Sequence, residues 1–116
     1  MNEELTTIFK NFKVNNKSIP VEYLLYKGKS KTFITWTITN EVPSLNVDDE
    51  NIYSVVSVDI DVFSDSNYLD IIKEVKKLMK NNNWLWSEDG PEMYEEDTEL
   101  YHKTISFEKE RFIDNG

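Results

Sequence analysis

Asp59 and Asp61 interrupt the most apolar stretch of the chain, I-Y-S-V-V-S-V-D-I-D-V-F-S, which runs from Ile52 to Ser64. Two residues apart on an extended strand, two carboxylates share one face, opposite Ile52, Val56, Val58, Ile60 and Val62. Such a pair could exchange a proton as an acid/base couple or, with Asp65 in the following turn, begin a metal site. A solvated strand face accounts for them with no further assumption. An EF-hand calcium loop is excluded, because the central glycine is missing and hydrophobic residues occupy ligand positions. The expectation is therefore a wet strand face. His102 is the only histidine, so no histidine pair can hold a metal, and a partly exposed structural role is expected for it. K-G-K-S at 27–30 lacks the upstream glycine of a phosphate loop and reads as a turn. Three glycines are too few for a P-loop or dinucleotide fingerprint, and no G-x-S-x-G occurs. The absence of cysteine removes thiolate metal sites, cysteine nucleophiles and disulfides together. No catalytic centre, cofactor or bound metal is expected.

The elements that would carry these residues follow from periodicity. Leu5, Ile8, Phe9 and Phe12 recur at helical spacing and predict a short N-terminal amphipathic helix. After N-N-K-S-I-P, the segment V-E-Y-L-L-Y-K reads as a strand with both faces partly covered. T-F-I-T-W-T-I-T places Ile34, Trp36 and Ile38 on one face and threonines on the other, a β-branched pattern of period two. Asn40–Asn51 reads as a polar loop of about twelve residues, a length usually kept for function or for ordering by partners. S-D-S-N supplies turn and N-cap residues for a helix over about 66–81, with Ile71, Ile72, Val75, Leu78 and Met79 as its core stripe. W-L-W-S-E-D-G-P-E-M-Y-E-E-D reads as a strand or ragged hairpin. L-Y-H-K-T-I-S-F then sets Tyr101, Lys103, Ile105 and Phe107 on one face of a final strand. Trp36, Val58, Ile60, Ile72, Val75 and Ile105 are expected to meet in one core.

A chain of 116 residues with 39% hydrophobic and 13% aromatic content is expected to fold as one domain, 1–116. No leader or apolar run of spanning length is evident, so a soluble protein without membrane contact is expected. Its formal net charge is −9, unevenly spread. Residues 1–31 hold six lysines against three acids, whereas 87–116 hold ten acids against three bases. So acidic a chain lacks the basic footprint for gripping phosphates, and specific nucleic-acid binding is not expected. The acids of E-D-G-P-E-M-Y-E-E-D enclose Met93 and Tyr94, side chains that mark protein contacts. Glu41, Asp48, Asp49 and Glu50 of the polar loop, with Met93, Tyr94, Glu95 and Glu96, form the candidate interface or lumen set.

I-P-V-E-Y, T-F-I-T-W-T, Y-S-V-V-S-V-D-I-D-V-F-S-D-S-N-Y, a Lys-rich helix and E-D-T-E-L-Y-H-K-T-I-S-F follow one another in an order that resembles the tail completion, or tail terminator, proteins of long-tailed bacteriophages. The similarity spans roughly Ile19–Phe107. The tail E-K-E-R-F-I-D-N-G and the W-L-W at Trp84–Trp86 depart from it. The resemblance implies an α+β fold, a mostly antiparallel sheet of four to five strands with both helices on one face. It also implies a homo-oligomeric ring, typically hexameric, at the head-proximal end of the tail tube. That ring would stop polymerisation, meet tail tube protein and head connector, and let DNA pass through its lumen. Assembly would take place in the host cytoplasm and end in the virion. The acidic charge also suits another class, an inhibitor of DNA-mimic or immunity type binding a basic protein surface. A DNA mimic would spread its carboxylates along one face, whereas here they cluster in loops beside a basic N-terminal third. A small hydrolase is poorly supported.

Overall fold

The computed structural model describes residues 2–45 and 52–113. Helix α1 (Asn2–Ile8) is followed by a two-residue pair, β1 (Lys13–Val14) and β2 (Lys17–Ser18). Asn15 and Asn16 between them both take positive φ, 52° and 65°, the geometry of the hairpin turn that asparagine tolerates. The main sheet is built from β3 (Val21–Tyr23), β4 (Phe33–Leu45), β5 (Ile52–Ser64), β6 (Leu85–Glu95) and β7 (Leu100–Ile113). Its order is β3-β4-β5-β7-β6, antiparallel except for the β3/β4 pair. Helix α2 (Leu69–Asn81) connects β5 to β6. The fold is α+β, as the resemblance implied.

One face of the sheet is dry. Val56, Val58, Ile60 and Val62 of β5, Ile34 and Trp36 of β4, and Ile105 and Phe107 of β7 are all buried there. Onto them pack Ile71, Ile72, Val75 and Met79 from α2 and Leu5 and Phe9 from the N-terminal segment. All six expected core residues lie in this cluster. Helix α2 begins at Leu69, later than about 66, where the Asn67 side chain accepts the Leu69 amide at 2.9 Å. It stops at N-N-N. Asn83 turns left-handed at φ 68° and the Trp84 amide donates back to the Met79 carbonyl at 3.0 Å. That turn drives Trp84 into the core, 1% exposed. Lys109 of β7 ties the helices together, reaching Glu4 of α1 and, at 3.2 Å, the Asn82 carbonyl that ends α2.

Two segments depart from their sequence patterns. The strand expected over V-E-Y-L-L-Y-K ends at Tyr23, because Leu24 takes φ 67° and breaks the extension. The polar loop expected from Asn40 is instead strand to Leu45, paired residue for residue with β5. Pairing with β5, itself held by β7, outweighs the weak local preference of E-V-P-S-L. Among the described residues no strand pairs with the other side of this part of β4, since β3 spans three residues only, and such an edge position tolerates Pro43. A register shift between Ile38 and Asn40 moves Glu41 to the helix-bearing side, where Ser54 donates to its carboxylate at 3.1 Å. The result is an elongated molecule, 52 × 26 × 24 Å, with three strands extended at one end.

Candidate functional site

The second face of the sheet carries the residues with chemical potential. Odd positions of β5 align here with even positions of β7 and, before the shift, odd positions of β4. Asp59 accepts the Ser106 hydroxyl at 2.6 Å. Asp61 accepts the Thr104 hydroxyl and lies 2.9 Å from His102 Nε2. The other imidazole nitrogen, Nδ1, sits 3.4 Å from a Glu95 oxygen. With 21% of its side chain exposed, Asp61 is not the solvated charge that the alternation suggested. The Thr104 hydroxyl and the His102 imidazole of the neighbouring strand β7 meet its carboxylate. Tyr26, Phe33, Phe63 and His102 stack in a row across the same face, with centroids 4.4, 4.7 and 4.1 Å apart in turn.

An Asp–His pair beside hydroxyls invites comparison with a nucleophilic triad. In a triad the hydroxyl bonds to the imidazole. Thr104 bonds to the carboxylate instead, and the imidazole lies between two carboxylates. The group is built to hold β5, β7 and the end of β6 in register. Among the described residues, no three acidic or histidine side chains converge to hold a metal.

The sheet edges and one corner present the exposed surface. At the β3 edge Tyr23, Leu24 and Leu25 are open to solvent. At the β6 edge Leu85, Trp86, Met93 and Tyr94 are likewise exposed. Met93 faces His102 across the β6–β7 pair, Tyr94 faces Tyr101, and Glu96 lies exposed in the turn that follows. Asp89 accepts from Trp86 Nε1 at 2.8 Å and from Lys76 at 3.1 Å. Burial alone would raise its pKa, but these donors, with Lys103 nearby, bring it below the usual carboxylate value.

Beside this edge, Tyr68, Leu69, Glu92 and Tyr101 line a pocket of about 490 Å³ on the helix-bearing side. The Tyr68 hydroxyl is buried and has no hydrogen-bond partner in bonding geometry among the described residues. Burial, and then the nearby Glu92 carboxylate, push its phenol up to about 12.

The sequence-derived candidates divide into two groups. Met93, Tyr94, Glu95 and Glu96 gather at the β6 end. Glu41 sits in the row of Val56 and Lys109, seven positions along β7 from the row of Met93 and His102. At about 3.3 Å per residue the groups lie roughly 23 Å apart, so they form no single site. Asp48, Asp49 and Glu50 fall outside the described residues. Sequence reasoning overlooked the Tyr68–Glu92–Tyr101 pocket and the Asp61–His102 pair, whose partners are distant in the chain. No family model matches this chain, and no curated protein does either.

Proposed function

We propose that the protein is a structural component of a phage-type tail that caps the head-proximal end of the tail tube as a ring. Capping ends polymerisation and leaves a surface for the head connector. The observation that carries this reading is the exposure of large apolar side chains at both sheet edges, Tyr23, Leu24 and Leu25 at one and Leu85, Trp86 and Tyr94 at the other. A subunit joined to neighbours on two sides needs two such surfaces, and different surfaces on one chain give head-to-tail contacts. The extended β4–β5–β7 end supplies a further projection for the tube or the connector. The acidic surface suits a passage along which DNA phosphates slide without being held. The isolated chain can remain monomeric, since like charges on neighbours repel and the tube can act as template.

The test is to polymerise the partner tail tube protein with and without this chain and to measure tube length and solution mass. Short, uniform tubes with the chain bound at one end are expected. Tubes of unchanged length with no bound chain would remove the reading.

A further inference from the structure

The pocket at the β6 end has the chemistry of a cation receptor. Tyr101 lies between Tyr94, at a centroid distance of 5.1 Å, and Tyr68, at 6.5 Å. Aromatic rings grouped around a carboxylate attract an ammonium through ring quadrupole and charge together. The buried Tyr68 hydroxyl, which has no partner in bonding geometry among the described residues, can donate to the nearby Glu92 and offer its lone pairs to an incoming N–H. The segment 85–101 contains seven acids and neither lysine nor arginine; Lys103, opposite Glu92 in the strand pair, extends its ammonium to 3.7 Å from Asp89.

The matching cation is on the same chain at the opposite edge. Between β3 and β4 runs Y-K-G-K-S-K, in which Lys27, Lys29 and Lys31 are exposed and make no ion pair among the described residues. The turn is braced by the Tyr26 hydroxyl, which accepts the Ser30 amide at 2.9 Å, and by the Tyr26–Phe33 stack. It is therefore presented on a fixed base. The strand that follows the turn starts level with the pocket: Ile34, Val62, Lys103 and Glu92 lie in one row across the sheet. Four strand spacings, about 19 Å, separate β3 from β6 in that direction.

We propose that the Tyr68–Glu92–Tyr101 pocket receives a lysine ammonium from the Lys27–Lys31 turn of a second copy of this chain. The inference rests on the self-assembly proposed above and names the surfaces that carry it. Tyr26 holds the turn to the open face of the sheet, whereas the pocket opens on the helix-bearing face. Copies therefore overlap like shingles instead of extending one continuous sheet. A head-to-tail series of that kind forms a ring where the rotation per step divides a full turn, and an open filament where it does not.

The chain has no cysteine, so single cysteines report contacts cleanly. Lys31→Cys at the turn and Leu69→Cys on the pocket rim leave Lys27, Lys29 and Glu92 in place. Mixing the two variants with a short bismaleimide should give the mixed pair in excess over both like pairs. Glu92→Lys in the pocket copy should abolish that excess. Lys27→Glu with Lys29→Glu in the turn copy should then restore it. Tyr68→Phe should lower the yield while the chain stays folded. A random distribution of pairs, or a mixed pair indifferent to Glu92→Lys, would overturn the proposal. So would a shift of the Tyr68 ring resonances with an added lysine peptide when no mixed pair forms, since the pocket would then serve another partner. Tube capping is scored separately. A charge-dependent mixed pair in a protein that caps no tube upholds the contact and removes the tube reading. Capping that persists without the pair removes the contact alone.

Discussion

At the level of single residues, the informative groups are those whose partners come from another strand. Asp61 holds both Thr104 and His102, so Asp61→Ala strands two polar groups that its carboxylate satisfies. A loss of roughly 1–3 kcal/mol is expected in urea unfolding, whereas Asp59→Asn, which keeps an acceptor for Ser106, should stay close to wild type. Equal effects of the two would contradict the assigned roles. Tyr68 is the opposite case. Its hydroxyl is buried with no partner in bonding geometry among the described residues, so Tyr68→Phe should leave stability at neutral pH unchanged or raised by up to about 1 kcal/mol. The same phenol binds its proton more tightly when folded, with a pKa near 12 against 10 for the free side chain. The associated stability is fully present below pH 10 and is lost as pH rises towards 12. Unfolding measured across that window should show a decline in the wild type that Tyr68→Phe reduces.

Among the elements, α2 and β5 share the dry interface, and both owe their place to periodicity. Val58 is fully buried in β5, and Ile72 lies opposite in α2. Truncating either to Ala should cost about 1–4 kcal/mol, through lost transfer energy and a residual cavity. Near-neutral values at both would refute the packing of helix on sheet. Lys109 acts between elements, because its ammonium meets α1 at Glu4 and the end of α2 at Asn82 while lying over the Trp84 ring. Lys109→Ala should destabilise by about 1–2 kcal/mol, and more of the loss should appear as fraying of α1 in hydrogen exchange than as damage to the sheet.

For the molecule as a whole, acids are concentrated at the β6 edge, and the turn beside β3 carries Lys27, Lys29 and Lys31, which make no ion pair among the described residues. This polarity across the sheet favours association between unlike surfaces, and it weakens with salt. In the proposed capping, the extended end of β4 and β5 is a second contact surface. Deleting Ser44–Asp49 leaves every residue of the buried core in place, so the fold should persist with an unchanged near-UV spectrum. Termination should fail, giving tails of uncontrolled length in electron micrographs. Normal tails after the deletion would exclude this end of β4 and β5 from tube capping.

What the sequence determined by itself was local and periodic. Alternation in Val56–Val62 and the stripe Ile71, Ile72, Val75 and Met79 specify which side of each element is apolar, because side-chain direction follows backbone geometry within a few residues. Those faces, the helices and one core could be read from the order of residues. Pairing across distance could not. Asp61 and His102 stand 41 positions apart, so their contact depends on a strand register that neither segment encodes alone. The extension of β4 through Glu41 and Pro43 rests on the hydrogen bonds of its neighbour β5, not on its own weak propensity. The tyrosine pocket exists only because the turn after β5 comes to rest beside the β6–β7 pair. Carboxylates that look solvated in an alternating pattern became satisfied partners once neighbouring strands closed around them. That outcome belonged to the tertiary structure, since burial is a property of what surrounds a residue and not of the residue itself.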